Sequence, residues 1–132
     1  MQKLTRLKIG AKTYPVKIDL NVLAELQEAF GSVNQFERDL LGLKLMKGEN
    51  GEQLYTSEGD PQMYVVEPSI KAISTILPLM INEGLELEAK SKGKDFEPLE
   101  DIDILAECNI SFEALAQFIH SEYKKCFEVK KL

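Results

Sequence analysis

The stretch IDLNVLAELQEAFGSVNQF, Ile18 to Phe36, decides how this chain is read. Asp19 stands where its carboxylate can accept from the free amides of a first helical turn, with its charge at the positive end of the dipole. Behind it Leu20, Leu23, Ala24 and Phe30 recur at helical spacing, with Leu26 at the edge of that face. Asn21, Glu25 and Glu28 fall elsewhere on the wheel. Gly31 then supplies a left-handed stop. Ser32, with Gln35 three residues on, opens a second helix in a capping-box pattern; Val33, Phe36 and Leu40 continue as its stripe, and Gly42 ends it. Two short helices joined at one glycine are the expectation for residues 19–42.

Towards the N-terminus, charged and apolar residues alternate from Leu4 to Ile9, Gly10-Ala11-Lys12 interrupts, and Thr13 to Ile18 resumes an extended pattern. This predicts a β-hairpin over residues 1–18 with Tyr14, Val16 and Ile18 on one face. Pro15 lacks an amide donor, so its strand is expected to pair on one side only. In the other direction the pattern weakens. Over residues 43–67, Leu43–Met46 and Gln53–Thr56 read as two strands around Gly48-Glu49-Asn50-Gly51, or else the region is a loop. Ser57–Gln62 reads as a polar loop.

The last part, residues 68–132, reads as helical. Pro68 fits a first turn, where its missing amide costs nothing. Ile70, Ile73, Ile76, Leu77, Leu79, Met80, Ile81, Leu85 and Leu87 make more than one stripe. That helix is therefore either central to the fold or covered by a partner. Pro78 within it predicts a kink. Ala89–Glu97 is a charged linker. Pro98–Cys108 predicts a short helix with Ile102, Leu105 and Ala106 inward. Ser111 caps a final helix with Phe112, Leu115, Ala116, Ile119, Tyr123 and Cys126 on one face, and Lys124, Lys125, Lys130 and Lys131 near its negative end. The expected fold is thus α+β and mainly α-helical: an N-terminal β-hairpin followed by about five helices in one compact domain.

Bulk properties bound the function. With 132 residues the chain can bury a real core, and 44% hydrophobic with 29% charged residues is ordinary globular composition. Sixteen basic against 22 acidic residues give a formal charge of −6, which opposes binding to nucleic acid or an anionic membrane. Ile76–Ile81, the longest apolar run, is far too short to span a bilayer. The opening MQKLTRLKIG has no long apolar core and is not expected to be a signal peptide. Cys108 and Cys126 form no CxxC pair and read as two reduced thiols in a cytoplasmic protein.

Catalytic equipment is hard to find. Nucleophilic catalysis at neutral pH usually needs a histidine base, and the chain has one, His120. It lies six residues from Cys126, off that residue's helical face. The acids Glu97, Glu100, Asp101 and Asp103 lack the spacing of an EF-hand loop and are explained by a helix N-terminus. No P-loop, dinucleotide fingerprint or zinc-ligand set occurs, so no catalytic residue, metal or cofactor is expected. What remains is apolar excess on the Ile70–Leu87 helix, together with Phe118 and Phe127 off the main stripe of the last one. Core packing accounts for such residues, and so does a surface for a partner helix or for self-association. The partner-binding candidates are Ile76, Leu79, Met80, Phe118 and Phe127.

Three stretches together resemble the tail assembly chaperones of long-tailed, siphovirus-type bacteriophages. They are GAKTYPVKIDLNVLAELQEAFGS (Gly10–Ser32), PSIKAISTILPLMINEG (Pro68–Gly84) and SFEALAQFIHSEYKK (Ser111–Lys125). The family pattern runs D-x-N-x-L-x-x-L-E-x-x-F-G after a strand, then a helix ending in NEG, then a short C-terminal helix pair. Gln27 departs from it where Glu is usual, and Lys44–Tyr64 lies outside the resemblance. These motifs are caps, stripes and stops, and they mark no active site.

The resemblance implies a non-catalytic protein of the host bacterial cytoplasm, absent from the mature virion. Such a protein binds the tape measure protein, keeps it soluble and helps recruit tail tube subunits. Contact with the tail tube protein is made in the family through a longer frameshifted form. Two other classes compete. One is a small regulator binding nucleic acid through Asp19–Phe30 and Ser32–Leu41, although that second helix offers only Arg38 as a basic side chain. The other is a structural head–tail connector subunit.

Overall fold

Thr5–Ile9 (β1) alternates, burying Leu7 and Ile9 while Arg6 and Lys8 stay in solvent, and Lys12–Val16 (β2) buries both Pro15 and Val16 at its end. In the computed structural model, which describes residues 3–128, they pair antiparallel from Thr5–Val16 to Ile9–Lys12. β2 has no second neighbour, as Pro15 requires. Leu20–Phe30 (α1) and Val33–Leu41 (α2) follow, then Leu43–Leu45 (β3), Met63–Val65 (β4), Ile70–Ser91 (α3), Asp101–Ala106 (α4) and Phe112–Lys125 (α5). The fold is α+β, an N-terminal hairpin and five helices among the described residues.

The local signals of the helix pair hold. Asp19 accepts from the amides of Asn21 and Val22, Gly31 closes α1 at φ 84°, and the Ser32 hydroxyl accepts from the Gln35 amide. The Gln35 side chain does not return to Ser32; it donates to Asp39 at 2.8 Å instead, so only half of a capping box forms. Gly42, at φ 70°, lies so close to the Val66 carbonyl that a Cβ there would overlap it. The buried face of α1 differs from expectation. Val22, Leu23 and Leu26 are buried, with Phe30 partly so, while Leu20 is 82% exposed and Ala24 is also in solvent. Val22, Leu26 and Phe30 are one helical row with Leu23 beside it, and Leu20 lies across the helix from that row.

Residues 43–67 correct the expected hairpin. β3 pairs with β4, Leu43 opposite Val65 and Leu45 opposite Met63, and not with Gln53–Thr56. Gln53–Thr56 is threaded between the strand ends: the Leu54 amide donates to Met46 and the Gln62 amide donates to Leu54. The Gly48–Gly51 turn does form, closing the single bridge Lys47–Gln53, and the Ser57–Gln62 stretch turns back at Tyr55–Pro61.

α3 is the centre of the molecule. It packs against β2, α1, α2, α4 and α5, which consumes Ala72, Ile73, Ile76, Leu77, Met80 and Ile81. Its N-cap is Ser69, accepting from Ala72, so Pro68 stands one residue outside the helix. The helix continues through buried Pro78 and runs to Ser91, into the segment expected as linker. β2 lies directly on it: the Lys17 amide donates to the Met80 carbonyl at 2.9 Å, and a Cβ on Gly84 would overlap the Pro15 carbonyl.

In α4 the inward residue is Ile104; Ile102 and Ala106 face solvent, and Leu105 is half-buried. α5 buries Leu115, Ala116, Ile119 and Tyr123 as the spacing predicts, with Lys124 and Lys125 in its last turn. Lys130 and Lys131 lie outside the described residues. Among the described residues, no helix is long and apolar enough to cross a membrane.

Candidate partner-binding surface

The structure disperses the five side chains nominated from sequence. Ile76 and Met80 are fully buried on α3, so neither can meet a partner on the folded surface. Their apolar excess is used by the five elements around α3. Leu79 is half-buried and lines a shallow cleft of about 220 Å³ with Asn21, Val22, Glu25, Asn82, Glu83, Glu86, Phe96 and Pro98, which includes none of the other four. Phe118 packs half-buried against the core. Phe127 is exposed on one side, its ring 5.0 Å from that of Tyr123.

Exposed apolar side chains gather elsewhere. Val66, Pro68 and Ile70, leading into α3, face Phe112 at the start of α5 across an open groove of about 740 Å³, with Glu67 and Glu113 on its walls. Ile70 is 62% exposed and Phe112 50%. Both lie on the stripes of their helices, in line with Ile73 and Leu77 and with Leu115 and Ile119. They are exposed because those stripes overrun the core by one turn. Sequence spacing gives the angle of a side chain about a helix, not the point along the axis where packing stops. No sequence signal therefore separated Ile70 and Phe112 from the core. Neither Glu67 nor Glu113 has an ion-pair partner among the described residues.

In the Leu79 cleft the polar side chains Asn21, Asn82 and Glu83 are tied inward. The Asn82 side chain accepts from the Leu99 amide at 2.8 Å and donates to its carbonyl, pinning the approach to α4 against α3. The Asn21 side chain donates to Glu83 at 2.9 Å. Burial raises the Glu83 pKa, a hydrogen bond with Asp19 raises it further, and the Asn21 bond opposes both.

The groups considered for chemistry are engaged in packing. His120 meets the Glu37 carboxylate at 2.8 Å, joining α5 to α2, and stacks on Tyr123. The Cys126 thiol donates to the Ile18 carbonyl at 2.7 Å, and burial pushes its pKa up, the opposite of what a reactive thiolate needs. Cys108 packs partly buried against the core. Glu100 caps α4 without a side-chain bond, and Asp101 and Asp103 occupy its first turn. Among the described residues, no three His, Cys, Asp or Glu side chains converge as metal ligands would.

Comparison with known proteins gives no match to a family model, to a curated protein or to a solved structure.

Proposed function

We propose that this chain is a non-catalytic tail assembly chaperone whose groove at Val66, Pro68, Ile70 and Phe112 takes apolar anchors from a helical segment of a phage tape measure protein. The observation that carries a binding role is the groove, where two helix stripes overrun the core together and leave large apolar side chains in solvent. Glu67 and Glu113, without ion-pair partners among the described residues, favour a segment with Lys or Arg beside its apolar residues. A formal charge of −6 keeps such a protein dispersed while it holds an aggregation-prone partner. The tape measure protein as partner, recruitment of tail tube protein through a longer frameshifted form, and action in the host cytoplasm follow from the resemblance of Gly10–Ser32, Pro68–Gly84 and Ser111–Lys125.

The test is co-expression with the tape measure protein encoded in the same genome. The tape measure protein is expected to stay soluble and co-purify only when this chain is present. Ile70→Asp and Phe112→Asp are expected to abolish capture with the helical circular dichroism unchanged, because both side chains already stand in solvent. Leu20→Asp, on an exposed face away from the groove, should capture normally. Insolubility with the intact chain and its longer form together would sink the chaperone reading. Normal capture by both groove variants would move the site elsewhere.

A further inference from the structure

β4 is hydrogen-bonded on one side only, and the register fixes which backbone groups are left over. The Val66 amide donates to Gly42 at 2.6 Å, and the Met46 amide donates to Gln62 at 2.8 Å. Gln62 and Val66 therefore turn their polar groups towards β3, and so does Tyr64, midway between them and opposite Lys44. Alternation directs the N–H and C=O of Met63 and Val65 away from β3. Neither amide finds an acceptor among the described residues, and Val65 is 79% exposed.

Open edges of this kind are normally blocked by charge, proline, a bulge or a covering element. β4 has none of these between Met63 and Val65. In a chain of formal charge −6, two copies repel over most of their surface, yet Pro61–Val66 is a run of six uncharged residues.

We propose that β4 pairs antiparallel with β4 of a second copy about a two-fold axis at Tyr64, giving a four-stranded sheet ordered β3–β4–β4–β3. An edge strand paired about a two-fold axis is its own complement, which an unrelated partner must match by chance. In this register Met63 faces Val65 of the second copy, and each such pair exchanges both of the hydrogen bonds left open in the single chain. Tyr64 faces Tyr64 of the second copy as a close cross-strand aromatic pair. Neighbouring registers are worse. An axis at Met63 sets Pro61, which has no amide, against Val65. An axis at Val65 needs Glu67, beyond the end of the strand. The dimer stands independently of what fills the groove, so its failure leaves the chaperone reading untouched.

The experiment is sedimentation velocity of the full chain over a concentration series, at low and at moderate salt. A reversible dimer is expected, strengthened by salt as the like charges are screened. Tyr64→Lys and Tyr64→Glu each set like charges opposite one another at the axis and should each be monomeric. Mixed in equal amounts, they should recover a heterodimer. Val65→Pro removes an amide that makes no bond among the described residues and should weaken the dimer roughly tenfold or more, since symmetry loses that bond twice. Circular dichroism checks that each variant is folded. A wild-type chain monomeric at every concentration overturns the proposal. So does a dimer that survives the Tyr64 variants, or a mixture of the two that stays monomeric.

Discussion

Glu83 holds a carboxylate in a place that resists charge. Its relative exposure is 9%, Asp19 lies within hydrogen-bonding reach, and Glu86 adds repulsion, with Asn21 the one donor in its favour. A carboxyl whose pKa is raised by folding binds its proton more tightly folded than unfolded. Its contribution to stability is therefore complete below the ordinary value near 4.5 and is lost as pH rises through the folded-state value. Glu83→Gln keeps the Asn21 bond and can donate to Asp19. It is expected to match the parent at pH 4 and to exceed it by about 1 kcal/mol, the scale of one hydrogen bond, at pH 7. Urea unfolding across that range checks this, and parallel curves would show that the site carries no strain. Asp19 was legible in the sequence as a cap because capping is a matter of adjacent residues. Its meeting with Glu83 joins two helices and left no local trace.

At the scale of elements, α3 and β2 meet more closely than side chains allow. Replacing a glycine inside a helix by alanine normally gains about 1 kcal/mol. At Gly84 the added methyl would enter the Pro15 carbonyl, which is backbone and cannot swing aside. Gly84→Ala is therefore expected to cost about 1–3 kcal/mol, as overpacking does. A stabilised variant in denaturant titration would mean that β2 can lift from α3. The same helix shows where periodicity is informative and where it stops. Its surplus of apolar residues left open a central element or a face for a partner; Ile76 and Met80, nominated for the partner, are fully buried and follow the first reading. The stripes of α1 and α4 were misplaced because Leu20 and Ile102 are apolar without being covered, and spacing over one or two turns tolerates several faces. β3 and β4 were mismatched for another reason: the nearer segment, Gln53–Thr56, has a turn in front of it, whereas the true partner lies beyond two turns.

Taken whole, the molecule presents acid on its surface and gathers exposed apolar side chains at the groove and along the β4 edge, with Leu20, Ile102 and Phe127 exposed singly elsewhere. The proposed chaperone role requires the chain to be present in infected cells and missing from finished particles. Mass spectrometry of a purified phage preparation is expected to find the tape measure and tube proteins without this chain. Recovery in stoichiometric amount would instead identify a structural subunit such as a head–tail connector.

The N-terminal hairpin and the last helix also hold one another. Gly10 bonds to Asn109, Thr5 to Lys125, and the Ile18 carbonyl to Cys126, while α3 fills the space between. During translation the hairpin can pack on α3 as soon as that helix has emerged, but its bonds to Asn109, Lys125 and Cys126 wait until α5 has followed. The groove needs Phe112 as well as Ile70, so it too forms only once α5 has joined α3. A nascent chain whose α5 has not yet folded therefore has no finished groove with which to seize a partner.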